Sequence, residues 1–175
     1  MKKFFLIFVL FFLISTYLYA QLANSVYNSS ECGLNIIHKA AKIGQRYATP
    51  AGSNYPVTFN VNEFPSECYV IEKAYLWWVV SNSLDNPPNP TVEVTNPASS
   101  KKTHNVTTTG TAGHKCWGEK DTRGYRADIT ASISGNGTYR ITPSTTVNET
   151  DGITMLIIYR DLRANFQGQI GRAHV

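Results

Sequence analysis

Long helix-forming residues are scarce in this chain, and so are charges, which make up 16% of the 175 residues. No internal repeat or low-complexity run is visible, and no Pro/Gly/Ser stretch is long enough to act as a linker. Solenoids, coiled coils and bead-on-string arrangements are thereby excluded. Chemistry-bearing motifs are equally thin. No Gly-x-Ser-x-Gly nucleophile elbow exists. The histidines His38, His104 and His114 lack zinc-ligand spacing with the cysteines. No loop alternates Asp and Asn as an oxygen-rich calcium site requires, which leaves Asp121, Asp128, Asp151 and Asp161 as turn and strand-end residues. Asp161 with Glu72 or Glu149 is unconstrained as a glycosidase pair, and Cys116 stands too close to His114 in sequence to form a persuasive nucleophile and base. These readings predict no enzyme, no metal and no cofactor.

The first twenty residues, MKKFFLIFVLFFLISTYLYA, form the best-defined feature present. Lys2 and Lys3 give a positive start, Phe4 to Ile14 is wholly apolar, and Ala20 is a small residue before Gln21. That is the layout of a secretory signal peptide (residues 1–20) cleaved after Ala20. The competing reading is a membrane anchor, since Phe4 to Ala20 approaches the shortest spanning length. Cleavage predicts a secreted or cell-surface protein with no stable membrane span. The charge changes with it: 16 Lys+Arg fall to 14 when Lys2 and Lys3 leave, against 12 Asp+Glu, a net of +2. Lys101-Lys102 is then the only adjacent basic pair, so there is no electrostatic footprint for nucleic acid.

Three cysteines remain, Cys32, Cys68 and Cys116. Export to an oxidising compartment predicts one disulfide and one thiol left over. Cys68 with Cys116 is the preferred pair, because both sit just outside strands of the central region, and Cys32 with Cys68 is the alternative.

Thr, Ser, Asn, Val, Ile and Tyr dominate the rest, a composition that suits pleated, half-buried surfaces and their turns. Leu34, Ile37, His38 and Ala41 fit one helical face, although an edge strand fits the same segment. Val57 to Val61 alternates as a strand. Tyr69 to Val80, YVIEKAYLWWVV, reads as a central strand with Glu72, Ala74, Leu76, Trp78 and Val80 on one face and Ile71, Lys73, Tyr75, Trp77 and Val79 on the other. Thr91 to Thr95 is a short strand that segment 104–108 is expected to pair with. Thr107 to Arg123 reads as a polar connection. Tyr125 to Ile133 alternates with Ala127, Ile129, Ala131 and Ile133 inward. Gly135-Asn136-Gly137 signals a hairpin into Thr138 to Thr142, and Ile153 to Arg160 is a second doubly apolar strand. About seven strands at short spacing predict an all-β fold, an antiparallel β-sandwich of jelly-roll or immunoglobulin-like topology. It spans residues 21–168 as one domain.

Tyr75, Trp77 and Trp117 are the candidate binding residues, as an aromatic platform for sugar rings. Trp77 and Trp78 are neighbours on a strand and must point to opposite faces, so one of them belongs to the core. Four Asn-x-Ser/Thr sites begin at Asn28, Asn105, Asn136 and Asn148.

Four blocks carry a resemblance: IEKAYLWWVVS (71–81), KCWG (115–118), YRADITASISGNGTY (125–139) and DGITMLIIYRD (151–161). Their order resembles a β-rich N-terminal module of large secreted or surface proteins of Bacteroidota. Such proteins often end in a type IX secretion sorting domain or a gliding-motility-associated C-terminal module. The resemblance implies an adhesive or structural module whose partner is a surface protein or a glycan; the alternative is a carbohydrate-binding module appended to a catalytic domain. It supplies no catalytic residues. The final residues, IGRAHV (170–175), resemble the translation of a common sequencing adapter, with Gln169 compatible with the preceding codon. Residues 169–175 are therefore expected to be adapter-derived and the module truncated on its C-terminal side.

Overall fold

A computed structural model describes residues 26–42, 56–82, 91–112, 121–144 and 148–163. The chain divides into two units, Met1–Glu31 and Cys32–Val175. In the first, only Val26–Glu31 is described, and it forms no strand or helix. The predicted signal peptide lies outside the described residues. No helix among the described residues is long and apolar enough to cross a membrane.

The second unit is all-β and antiparallel. Its strands are β1 (Leu34–Lys42), β2 (Val57–Val61), β3 (Tyr69–Asn82), β4 (Thr91–Thr95), β5 (Lys101–Ala112), β6 (Asp121–Asp128), β7 (Gly137–Pro143) and β8 (Asn148–Asp161). They form one ladder in the order β1-β8-β3-β6-β5-β4-β7-β2. β5 is the joint. Lys101 to Asn105 pairs with β4, and Val106 to Ala112 pairs with β6. A long half (β1, β8, β3, β6) and a short half (β4, β7, β2) therefore share one strand. The pairs β1·β8, β2·β7, β3·β6 and β4·β5 are nested, each enclosing the next in sequence. The chain thus runs as one long hairpin, with its tip at the β4–β5 turn, wound back on itself.

Alternation builds the core. Val57, Phe59 and Val61 of β2, Val92 and Val94 of β4, and Tyr139 and Ile141 of β7 are buried from the short half. The long half answers with Ala74, Leu76, Trp78 and Val80 of β3, Tyr125 and Ala127 of β6, and Ile153, Met155 and Ile157 of β8. All belong to one cluster. The two end strands of the ladder, β1 and β2, approach without pairing, and Lys39 of β1 is hydrogen-bonded to Glu63 just past β2.

Several expectations need correction. Of the two readings open for Leu34 to Lys42, a short helix and an edge strand, the structure has the strand, at the end of the ladder, and of the four residues on the helical face only Ile37 is fully buried. β6 begins at Asp121, inside the stretch read as a polar connection, because Asp121 is buried and paired with Arg123. It ends at Asp128, so Ala131 lies exposed in a 3₁₀ turn, Thr130–Ser132, rather than inward on a strand. Gly135 and Gly137 do take positive φ, 124° and 138°, but they do not close a hairpin. β7 pairs with β4 and β2, not with β6, so this connection crosses from the long half to the short one. β3 is central, yet its outer face is not covered throughout, since Val79 is 51% exposed.

Candidate functional site

The outer face of the long half carries two of the predicted aromatic residues, Tyr75 and Trp77, placed there by strand alternation. Because Trp78 points into the core at 2% exposure, Trp77 must point out. Register then fixes its neighbours. One cross-strand row reads Ala40, Thr154, Trp77, Arg126 and Thr107 from β1 to β5. The next row reads His38, Leu156, Tyr75 and Asp128. The Tyr75 and Trp77 rings lie 5.3 Å apart, and the Arg126 guanidinium sits 5.8 Å from the Tyr75 ring centre. Tyr75 is only 6% exposed, so it supports Trp77 rather than offering a face of its own. Trp77 is half-buried. Its neighbours in the row are the short Thr154 on one side and Arg126 on the other.

A shallow depression of about 390 Å³ adjoins this row, lined by Ala40, Ala41, Lys42, Gly152, Ile153 and Thr154. Gly152 is close-packed here: a Cβ would stand 3.2 Å from the Ala41 carbonyl oxygen. The β3–β8 register shifts between Trp78 and Val80, and such bulges re-aim side chains. Val79 follows at the upper end of the strip, and Ile36, 65% exposed, stands at the lower end beside Ile158.

Polar groups frame the strip. Lys73 is paired with Asp128 at 3.1 Å and Arg160 with Glu72 at 3.0 Å. Asp128 also accepts hydrogen bonds from the Thr130 main-chain N–H and hydroxyl. Burial, the largest single influence on Asp128, pushes its carboxyl up. The two Thr130 bonds and Lys73 together outweigh it and hold the carboxyl below its ordinary value. Asp161 makes a comparable turn with Arg163, whose guanidinium and main-chain N–H lower its pKa. Asp121, Asp128 and Asp161 stand at strand ends as expected, whereas Asp151 lies within β8. No group of three or more His, Cys, Asp or Glu suited to a metal occurs among the described residues.

Cys32 and Cys68 are both exposed and free, so the alternative pairing is not formed. Cys116, of the preferred pairing, lies outside the described residues, as does Trp117.

In sequence His104 reads as an isolated polar residue, and nothing there points to its partner. His104 Nε2 lies 2.7 Å from the Ser132 hydroxyl, and both side chains are buried. A serine hydrogen-bonded to an imidazole has the geometry of a nucleophile and its base. Burial of both groups withholds it from substrate, and the Asp128 carboxylate is engaged by Thr130 and Lys73. The pair serves to satisfy two buried polar groups where β5 passes from one half to the other. Burial pushes the His104 pKa down, Lys102 acts in the same direction, and Asp128 pulls it back only in part. The folded form thus binds a proton less readily than the unfolded chain, whose imidazole titrates near 6.5. Stability from this group is complete above that pH and is lost as pH falls toward the lower folded value. Urea midpoints should fall between pH 7.5 and pH 5.5 by more in the wild type than in His104→Gln; equal falls would contradict the assignment.

Comparison with protein-family models, characterised proteins and solved structures returned no match to this chain.

Proposed function

We propose that this chain is a non-enzymatic, secreted or surface-displayed β-sandwich module with an adhesive or structural role within a larger protein of the Bacteroidota surface type. Of the two sandwich topologies, strand order favours the jelly roll. A wound hairpin with nested pairs is the connectivity of an eight-stranded jelly roll. An immunoglobulin-like domain would instead pair its first two strands in one sheet, whereas β1 here pairs with β8. Jelly rolls host lectin, capsid and enzyme functions alike, so the fold alone carries no activity.

The observation that carries the functional reading is the outer face of the long half. Ile36 and Val79 stand 65% and 51% exposed at its two ends, with partly exposed Trp77 and Leu156 between them. A continuous apolar strip rimmed by charged residues is the usual mark of an interaction surface. Beads coated with the protein should be retained on bacterial cell surfaces and their extracellular matrix. The double substitution Ile36→Asp, Val79→Asp should abolish retention while leaving the circular dichroism spectrum unchanged. Full retention by a folded double variant would show that the working surface is elsewhere. A second reading, a carbohydrate-binding module, is favoured by one specific feature: Trp77 stands across from Thr154, which lines a shallow depression.

A further inference from the structure

We infer that the ligand of the long half's outer face is an anionic polysaccharide, one of whose sugar rings stacks on Trp77 while its acidic groups are taken up by Arg126 and Lys42. The inference rests on the reading of that face as the working surface.

The geometry around Trp77 suits a sugar rather than a protein side chain. Its lateral neighbours on the β1 side are Thr154 and then Ala40, both too short to cover an indole, and the depression continues past them to Gly152 and Lys42. An apolar ring face beside a shallow, open trough accepts the flat C–H face of a pyranose. Thr154 stands next to Trp77 in the same cross-strand row, and Thr107 lies beyond Arg126 on the other side. A protein anchor would need a deep enclosed pocket to be desolvated, and the depression is shallow and open.

Charge chooses among sugars. Among the described residues, the carboxylates Asp128 and Glu72 on this face are taken by Lys73 and Arg160. No carboxylate among the described residues forms an ion pair with Arg126 or Lys42. Arg126 lies directly across from Trp77 on β6, and Lys42 at the end of β1 on the opposite side. From β6 to β1 is three strand spacings, about 14 Å. Two such cations that far apart with an indole between them fit an extended chain of acidic sugars better than a single one. Guanidinium also binds carboxylate and sulfate in bidentate fashion.

Isothermal titration of the purified protein against polygalacturonate, alginate and hyaluronate tests this, with dextran as the neutral control. At least one of the three uronate polymers should bind and dextran should not. Trp77→Ala should weaken that binding at least tenfold, Trp77→Phe should retain most of it, and Arg126→Gln with Lys42→Gln should weaken it and flatten its salt dependence. Thermal melts of each variant establish that it is folded. Failure of all three polymers to bind overturns the inference, as does equal binding of dextran. Binding that survives Trp77→Ala also overturns it, because a polyanion would then be held by charge alone. The two readings fail separately: retention on cells that resists periodate oxidation of their glycans but is lost in the Ile36→Asp, Val79→Asp variant leaves the working face standing and removes the polysaccharide, whereas full retention by the folded double variant removes the working face itself.

Discussion

Trp78→Ala is expected to lower unfolding stability by about 3–5 kcal/mol, the range for removing a fully buried large aromatic. Trp77→Ala, one residue earlier, should cost about 1 kcal/mol, as for a partly exposed side chain. The contrast follows from strand geometry. Trp78 is 2% exposed and packs on Tyr125, ring centres 5.8 Å apart, in the middle of the cluster shared by both halves. Removing it empties the space between β3, β6 and the opposing short half, and neighbours held in strand ladders cannot collapse into it. Its indole N–H has no hydrogen-bond partner among the described residues, so the residue is kept for its volume and not for its polarity. Trp78→Phe should therefore recover most of the loss. Urea denaturation of the three variants checks the order; similar losses for Trp77→Ala and Trp78→Ala would contradict it.

Tyr139→Phe is the second large effect, about 2–4 kcal/mol from leaving buried donors unsatisfied. Tyr139 is fully buried on β7. Its hydroxyl accepts from the Ser134 and Gly135 main-chain N–H groups at 3.0 and 3.1 Å and donates to the Gly135 carbonyl at 2.6 Å. One oxygen thus holds the segment that carries the chain from the long half to the short. Phe64 and Asn136 tie the same crossing from outside, exchanging hydrogen bonds between the Phe64 main chain and the Asn136 amide. Phenylalanine keeps the ring and deletes only the hydroxyl, so the loss reports those bonds alone. A change below about 0.5 kcal/mol, the scale of an ordinary surface substitution, would show that the crossing is held by other contacts.

Much of this fold is legible in the residues themselves. β3 and β8 are plain because each is long, β-branched and apolar on both faces, and both are central strands of the ladder. The opposed placement of Trp77 and Trp78 needs only the two-residue period. The departures have identifiable causes. Leu34 to Lys42 satisfies helical and strand periods equally, and a strand at the end of the ladder buries too few residues to break the tie. Asp121 and Arg123 look like loop residues because their burial depends on each other. Gly135-Asn136-Gly137 fixes backbone angles but not the partner of the strand that follows, and a wound hairpin sends that strand to a different half. His104 and Ser132 are 28 residues apart, and only the corner in β5 brings them together. The face of Trp77 is readable from alternation; its neighbours on β1, β8 and β6 are not, since register is a property of the assembled sheet.

The most direct test of the account is hydroxyl-radical footprinting of the two adjacent tryptophans, resolved by tandem mass spectrometry with and without a uronate polymer. Trp77 should be oxidised in the free protein and protected when the polymer is present, with Trp78 unmodified in both. Oxidation of Trp78 to the same extent as Trp77, or a Trp77 signal indifferent to every polymer, would contradict it.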